Sequence, residues 1–372
     1  MRILLTVNAS WNIVNFRRGL VEDLLQCGHQ VTVLAPPDHC SAALVDMGCR
    51  FIPLNMDVKG LSALKDLRLL LEFRRVFHRE NPDVILGFTV KNNVFGAMAA
   101  RLLGIAFVPN VTGLGTAFLS DGLLRTVAEL LYRVAFRKAP VVFFQNSDDR
   151  GMFLQRGLVK EQQARLLPGS GIDLEYFSPL PPPASHGLVF LMIARLIKDK
   201  GLLEFVEAAR RMKRAFPHAR FQVLGAIGAE NRGAFSAECV ASWQREGIIE
   251  HLGQSADVRR HIAKADCVVL PSYREGAPRA LIEAAAMART IITTDVPGCR
   301  AVLDDGVTGF LCKARCANSL AEACERFANL TQAGREAMGM AGRIKMEREF
   351  DQAFVIDAYN LALADISLSG RN

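Results

Sequence analysis

Asp266-Cys267-Val268-Val269-Leu270-Pro271-Ser272-Tyr273-Arg274-Glu275-Gly276-Ala277-Pro278-Arg279-Ala280-Leu281-Ile282-Glu283 passes from a short apolar run, through a turn rich in Gly and Pro, into helical spacing. A short apolar run bounded by turn residues reads as a buried strand. The turn and helix that follow make it one unit of a parallel α/β sheet. Polar groups on such a turn stand at the carboxyl edge of the sheet, where open α/β sheets bind their ligands. Glu275 falls on the turn. Glu283 follows about two helical turns later, at roughly 3.6 residues per turn. Two carboxylates so placed can grip two ends of one elongated ligand.

Outward from this stretch the same alternation fills the chain. Ile3 to Val7, Val31 to Leu34, Phe51 to Leu54, Val84 to Phe88, Phe107 to Asn110 and Val141 to Gln145 read as strands. Helical spacing lies between them, as in Phe16, Leu20, Leu24 and Leu25, and over 61–79, 93–103 and 123–138. The pattern breaks at Ser178-Pro179-Leu180-Pro181-Pro182-Pro183, where prolines cannot continue a helix or a central strand. It restarts with Leu188 to Ile193, a helix over 202–215, Phe221 to Leu224, a helix near 234–246, Cys267 to Leu270, a helix over 278–288 and Thr290 to Thr294. After a turn at Gly306 to Gly309 helices fill most of the remainder. The spacing predicts two Rossmann-like domains with parallel sheets facing each other across a cleft. The first covers 1–177, a Pro-rich linker covers 178–187, and the second covers 188–349. A C-terminal helix at 350–366 is expected to pack back on the first domain.

The bulk numbers agree with this. A chain of 372 residues is too long for one core. With 50% hydrophobic and 22% charged residues it is globular, not disordered. A net charge of +7 suits an anionic ligand or an anionic membrane surface. Nucleic acid is excluded as the main partner, since no aromatic–basic recognition motif or zinc-finger spacing is present. The nine cysteines are scattered, without a Cys-x-x-Cys pair, and fit a reduced, cytosolic protein. The run Met1 to Val7 is shorter than the apolar stretch of a signal peptide. No run approaches the ~18 apolar residues of a spanning helix, so the expected membrane contact is peripheral.

The second domain opens with Ala194-Arg195-Leu196-Ile197-Lys198-Asp199-Lys200-Gly201 directly after its first strand. Lys200-Gly201 stands where the next helix begins, and a helix start carries unpaired N–H groups and partial positive charge. With Arg195 and Lys200 added, this is a site for two linked phosphates, able to neutralise a diphosphate leaving group. On the Glu275 turn, Gly276 and Ala277 let backbone N–H groups approach a ligand, and Pro278 at the helix start costs no hydrogen bond. Taken singly, each of these charges also reads as an ordinary solvated residue. The combination, with both pairs following strands, is the stronger sign.

These stretches, with Val296-Pro297-Gly298-Cys299-Arg300 and Gly306-Val307-Thr308-Gly309-Phe310, resemble the family 4 retaining glycosyltransferases of the GT-B fold. The likeness is strongest over 189–311. The segment Asn110-Val111-Thr112-Gly113-Leu114-Gly115 is similar to bacterial enzymes that add galactose, N-acetylgalactosamine or N-acetylhexosamine units to lipid-linked glycans, in capsule and O-antigen assembly. The resemblance implies that Arg195 and Lys200 hold the donor diphosphate. It implies that Glu275, with the amides of Gly276, Ala277 and Pro278, contacts the transferred sugar, and that Glu283 takes the nucleotide ribose. The catalytic set it implies is therefore Glu275, Arg195 and Lys200. Asn15, Asn110, Thr112 and Gly113 are the acceptor-side candidates. It further implies a UDP-sugar donor, a lipid-linked or free glycan acceptor, retention at the anomeric carbon, no required cofactor and no essential divalent metal.

Three departures stand out. The loop after the first strand, Asn8-Ala9-Ser10-Trp11-Asn12, lacks the glycines common among relatives. The stretch Asn110 to Gly115 lacks the histidine that many relatives direct at the donor sugar. Ala288-Arg289 replaces a glycine-containing turn, for which a local backbone change is expected.

The first domain carries a second signal. Leu64, Leu67, Leu70 and Leu71 are mixed with Lys65, Arg68, Arg74, Arg75 and Arg79, and Leu124, Val127, Ala128, Leu131 and Ala135 with Arg125, Arg133, Arg137 and Lys138. A basic amphipathic helix can lie in an anionic interface, as well as simply covering a sheet. The expected location is cytoplasmic, peripheral on the inner face of the cell membrane. Two rival functions share the architecture: a nucleotide-sugar 2-epimerase and a non-catalytic glycan- or partner-binding module. The first needs acid/base residues that are not evident in the first domain. The intact Arg195, Lys200, Glu275 and Glu283 argue against the second.

Overall fold

The computed structural model describes residues 1–58, 60, 62–113, 123–181, 187–228 and 233–369. Leu114, Gly115, Pro182, Pro183 and the side chain of Leu124 lie outside them, as does residue 61. The chain forms two compact units, Met1–Gly171 with Gln352–Asn372, and Ile172–Asp351.

In the first unit the elements are β1 (Arg2–Thr6), α1 (Ser10–Phe16), α2 (Arg18–Gln26), β2 (Gln30–Ala35), α3 (Ser41–Asp46), β3 (Arg50–Pro53), α4 (Ala63–Glu80), β4 (Val84–Phe88), α5 (Val90–Leu103), β5 (Ala106–Val111), α6 (Leu123–Phe136), β6 (Val142–Phe144), α7 (Ser147–Gln155) and β7 (Ala164–Leu166). The sheet order is β3-β2-β1-β4-β5-β6-β7, with every pairing parallel. Both faces are covered, so the strands are nearly continuously apolar; every residue of β4 is buried. One face packs on α4, α5 and α6 through Phe73, Phe77, Ala97, Ala100 and Phe136. The other packs on Ile13, Leu20, Val21 and Leu24 of α1 and α2, with Val355, Tyr359 and Leu363 from the end of the chain.

The second unit contains β8 (Val189–Ile193), α8 (Leu202–Ala215), β9 (Arg220–Leu224), α9 (Ala237–Arg245), β10 (Glu250–His251), α10 (Arg259–Ile262), β11 (Cys267–Leu270), α11 (Arg279–Ala286), β12 (Thr290–Thr294), β13 (Gly309–Cys312), α12 (Ala317–Ala328) and α13 (Gln332–Glu349). Its sheet order is β10-β9-β8-β11-β12-β13, again parallel throughout. From β8 the chain builds outward through β9 to β10, then returns to the other side of β8 with β11. The order therefore reverses between β8 and β11, and open α/β sheets bind their ligands at the carboxyl edge beside such a reversal.

Several boundaries differ from the sequence expectation. The division falls between Gly171 and Ile172, ahead of the proline run. Ile172 and Phe177 are already buried in the second core, so apolar burial commits the chain before the prolines are reached. Phe16, Leu20 and Leu24 do not share one helix: the backbone breaks at Arg17, whose N–H donates to the Ile13 carbonyl to close α1. After the Gly306 turn helices fill most of the remainder, as expected, but β13 first adds an edge strand to β12. The last helix, α14 (Gln352–Ser369), belongs to the first unit, where Asn360 donates to the Asp23 carboxylate at 2.9 Å. The change at Ala288-Arg289 is more than local. Ala288 adopts a left-handed φ of 55°. Arg289 is buried, donating to the carbonyls of Ile262, Ala263, Leu180 and Pro181, and so pins the first part of the proline run to the second core.

Candidate active site

Three turns meet at the carboxyl edge of the second sheet, around its point of reversal. The first follows β8 and runs through a single 3₁₀ turn, Lys198–Lys200, into Gly201 and α8. Gly201 has a φ of 75°, and a Cβ there would lie 2.1 Å from the Pro271 carbonyl oxygen, so only glycine fits. The second turn follows β11 and carries Ser272 to Pro278. Backbone bonds join the two: the Tyr273 N–H donates to the Asp199 carbonyl at 2.9 Å, and the Ser272 hydroxyl donates to it at 3.1 Å. The third turn follows β12. The Glu275 N–H donates to the Pro297 carbonyl at 3.3 Å, and a Cβ on Gly298 would lie 2.4 Å from the Glu275 carbonyl oxygen. The Thr294 hydroxyl donates to the Ser272 carbonyl from the same strand end. These hydrogen bonds and the two close-fitting glycines fix the Glu275 turn from both sides.

On this frame Lys200 Nζ pairs with Glu275 Oε1. The partners come from turns 75 positions apart in sequence. Both side chains are mostly buried, at 19% and 13% exposure. A desolvated ion pair holds its geometry because breaking it strands a charge in a poorly solvated place. Glu275 also helps push the buried Cys299 thiol up to about 12, although burial is the larger cause. Gly276 is buried and Ala277 half-buried, and Pro278 is the residue from which α11 starts.

Glu283 meets a different partner. Arg279, one turn earlier on α11, donates to it at 2.8 Å, and both are mostly buried. Burial raises the Glu283 carboxyl above its ordinary range, while the Arg279 guanidinium acts in the opposite direction. The Arg279 guanidinium also lies 5.7 Å from the Phe177 ring. Arg195 stands two positions beyond β8, exposed, and among the described residues its side chain has no ion-pair partner. The expected quartet therefore resolves into one bound pair, Lys200 and Glu275, with Glu283 held by Arg279 and Arg195 open to solvent.

Two features escaped the sequence. Tyr273 donates its hydroxyl to Glu204 Oε1 at 2.8 Å, which ties the second turn to the first turn of α8. Burial, with Glu204 beside it, pushes the Tyr273 hydroxyl up to about 12. Glu204 Oε2 is buried without a hydrogen-bond partner among the described residues. No sequence signal joins residues 69 positions apart. Arg279 does carry a signal, its i,i+4 spacing to Glu283, which the acidic pair overshadows.

The acceptor-side candidates have other commitments. Asn110, at the end of β5, is buried; its amide donates to the Tyr359 hydroxyl at 2.9 Å and accepts from Gln145 at 3.5 Å. Its backbone carbonyl accepts from Asn93 at 2.7 Å. Asn110 thus anchors α14 to the first sheet. Asn15 is exposed and donates to the Trp11 carbonyl within α1. Thr112 and Gly113 are half-buried just past β5. Nearby a crevice lined by Phe16, Arg17, Phe88, Asn110, Gln352 and Tyr359 opens at the carboxyl edge of the first sheet. The Arg17 guanidinium lies 4.1 Å from the Phe88 ring centre there.

Comparison with known proteins bears on the whole chain. Residues 13–169 match the glycosyl transferase 4-like domain, and residues 187–329 match the glycosyl transferases group 1 domain. N,N'-diacetylbacillosaminyl-diphospho-undecaprenol alpha-1,3-N-acetylgalactosaminyltransferase of Campylobacter jejuni is 29% identical over 339 residues, which cover 87% of this chain and 88% of that one. UDP-Gal:alpha-D-GlcNAc-diphosphoundecaprenol alpha-1,3-galactosyltransferase of Escherichia coli is 24% identical over 269 residues, 68% of each chain. Among solved structures, Alr3699/HepE of Anabaena in complex with UDP-glucose shares the fold with a TM-score of 0.79 at 17% identity, over 98% of this chain and 100% of that one. With its two matched domains in this order, each built on a parallel sheet, the chain belongs to the family 4 glycosyltransferases of the GT-B fold and is an enzyme of the transferase class.

Proposed function

We propose that the protein is a retaining glycosyltransferase that moves a hexose or N-acetylhexosamine from a UDP-sugar to a glycan carried on polyprenyl diphosphate, in bacterial surface polysaccharide or glycoconjugate synthesis. The observation that carries the reading is the buried Lys200–Glu275 pair at the reversal point of the second sheet. Lys200 is a cation placed beforehand at the start of α8, where a diphosphate also meets the N–H groups of the helix. Taking up that anion relieves Glu275 of its partner and turns the carboxylate to the hydroxyls of the transferred sugar, in charge-assisted hydrogen bonds. Arg195, open beside them, closes on the diphosphate from the β8 side. Glu283, oriented by Arg279, receives the ribose hydroxyls.

In this reaction the bond between the anomeric carbon and the diphosphate oxygen breaks while a bond to the acceptor oxygen forms on the same face. The acceptor's proton passes to the departing phosphate oxygen, and UDP leaves. Fixed positive charge at the leaving group supplies the stabilisation that grows toward the transition state. No side-chain base is assigned, and neither a cofactor nor a divalent metal is part of the scheme. The acceptor's lipid places the enzyme on the cytoplasmic face of a membrane. The two transferase relatives, both named for diphospho-undecaprenol acceptors, support this acceptor class. They support neither rival.

The test is a UDP-release screen over a panel of nucleotide sugars, with and without a polyprenyl-diphosphate-linked saccharide, repeated in EDTA. We expect UDP release that depends on acceptor, survives EDTA and yields a product of unchanged anomeric configuration. Formation of an epimer from UDP-sugar alone, or no UDP release with any donor, would overturn the reading.

A further inference from the structure

The transfer chemistry leaves one surface of the first unit unexplained. While α4, α5 and α6 bury one side against the sheet, α4 turns three leucines outward, Leu64 at 73%, Leu67 at 53% and Leu71 at 54% exposure. Their spacing puts them in one stripe along the helix. α6 adds Val127 and Leu130, also exposed. Exposed cations flank the leucine stripe on α4: Lys65, Arg68, Arg74, Arg75 and Arg79. Arg133, Arg137 and Lys138 are exposed on α6 or just past its end.

Three of the four acidic residues of these helices, Asp66, Glu72 and Glu129, are drawn away from that surface. Asp66 pairs with Lys91 at 2.6 Å; Glu80 pairs with Arg50 and with Arg79, each at 2.8 Å, and Lys65 pairs with Asp57 at 2.8 Å. Glu72 accepts from the Asn55 N–H at 3.3 Å, and Glu129 pairs with Arg125 at 3.3 Å and with Arg156. None of the four helix carboxylates is exposed. Among the described residues Arg68, Arg74 and Arg75 have no acidic partner, although they stand on one helix with three carboxylates. An ordinary solvated helix face mixes both signs; this one sets three exposed leucines beside three arginines without an acidic partner among the described residues.

Position adds a second argument. α4 runs from the end of β3 back to the start of β4, and α6 from β5 to β6. Helices that link parallel strands run antiparallel to them, so their first turns lie at the carboxyl edge. Leu64, Leu67, Leu71 and Val127 fall in the first half of their helices, and Leu130 stands just past the middle of α6. The exposed stripe therefore lies toward the ligand-binding edge of the first sheet.

We propose that this surface docks on an anionic lipid bilayer, with the leucines at the boundary of headgroups and acyl chains and the arginines on lipid phosphates. A second copy is a poor occupant, because a two-fold interface would set the same cations against each other. Among the described residues no helix is long and apolar enough to cross a membrane, so the contact is with the membrane surface. The proposal deepens the acceptor reading above and rests on it: docking would bring the carboxyl edge of the first unit to the depth of a lipid-borne diphosphate.

The experiment is co-sedimentation of the full chain with phosphatidylglycerol-containing vesicles and with pure phosphatidylcholine vesicles, without donor or acceptor. Two variants are compared, Arg68→Gln/Arg74→Gln/Arg75→Gln and Leu64→Ser/Leu67→Ser/Leu71→Ser. Their thermal midpoints report folding, and single variants at Arg68 and Leu67 serve if either triple is destabilised. We expect the wild type to bind anionic vesicles selectively. The arginine variant should bind about 10²-fold more weakly, and the leucine variant at least roughly 10-fold more weakly. Both should keep their turnover on a water-soluble acceptor and lose it on one embedded in vesicles. Several results overturn the proposal: no wild-type binding, variants that bind like the wild type, loss in the arginine variant alone, or a wild-type dimer that the variants dissociate. Because vesicle binding is read without turnover, a failed UDP-release screen beside selective binding would sink only the transfer reading.

Discussion

The carboxyl edges of the two sheets put their polar residues to opposite uses. In the second unit the edge is a fixed arrangement of paired charge: three turns, stitched by backbone bonds and two close-fitting glycines, present Lys200 against Glu275 and Glu283 against Arg279. In the first unit the edge is turned inward. Asn110 anchors Tyr359, Asn92 donates to the Thr6 hydroxyl at 2.8 Å, and Arg17 lies on the Phe88 ring. The same parallel architecture thus carries mostly buried, paired charges in one unit and a packed polar network in the other. The lesson is that charged residues set on turns after strands leave a mark in sequence, whereas an edge whose polar groups serve packing leaves no comparable mark.

The sharpest way to break this contrast is Lys200→Ala. It removes the cation and strands Glu275 in a mostly buried place, so kcat/KM for the UDP-sugar should fall by about 10²–10³-fold. UDP affinity, measured by calorimetry, should weaken with it; unchanged kinetics would take Lys200 out of the diphosphate role. Glu275→Gln comes next. Turnover should drop by about 10²-fold as a charged contact to sugar becomes a neutral one, while UDP itself binds within a few-fold of wild type. Collapse of UDP affinity would mean that Glu275 serves the frame and not the sugar.

A pair of glycines compares the two units directly. Gly201→Ala and Gly104→Ala both force a left-handed residue, at φ values of 75° and 71°, worth roughly 1–2 kcal/mol each. Only Gly201 also has a carbonyl oxygen within 2.1 Å of the new methyl, whereas nothing lies within 4 Å at Gly104. Chemical denaturation should therefore show the larger loss for Gly201→Ala, with donor affinity falling in that variant alone. Equal losses would contradict the close stacking of the first two turns.

Asn110→Ala tests the other side. It leaves the buried Tyr359 hydroxyl without its amide donor and should cost about 1–3 kcal/mol, with donor kinetics preserved. A raised acceptor KM at unchanged stability would instead make Asn110 a ligand contact and erase the contrast. The smallest effect is expected from pH. Burial raises the folded-state pKa of Glu283 above its ordinary 4.5, so the folded carboxyl holds its proton more tightly than the unfolded one. Its contribution to stability is then fully present below the unfolded value and declines as pH rises through the folded value. The stability advantage of wild type over Glu283→Gln should shrink as pH rises through that window, followed by denaturation at a series of pH values. A difference flat in pH would show that Arg279 cancels the burial.

Much of the fold was legible in the chain itself. β11 and β12 occupy the stretches read from apolar runs, and α8 spans the residues read from helical spacing, because parallel strands buried on both faces need near-continuous apolar sequence and covering helices need a periodic face. The cation and carboxylate that meet were also legible, as each follows a strand at the edge where ligands bind. What the chain concealed were contacts set by the packing of distant turns. The hold of Tyr273 on Glu204, the burial of Arg289 against Leu180 and Pro181, and the service of Asn110 to α14 each join residues that no local period relates. Pattern fixes which face of an element is apolar, since that depends only on spacing along one strand or helix. Which polar side chain is spent on structure and which remains for a ligand depends on neighbours brought in by the sheet order, and that was decided only by the tertiary structure.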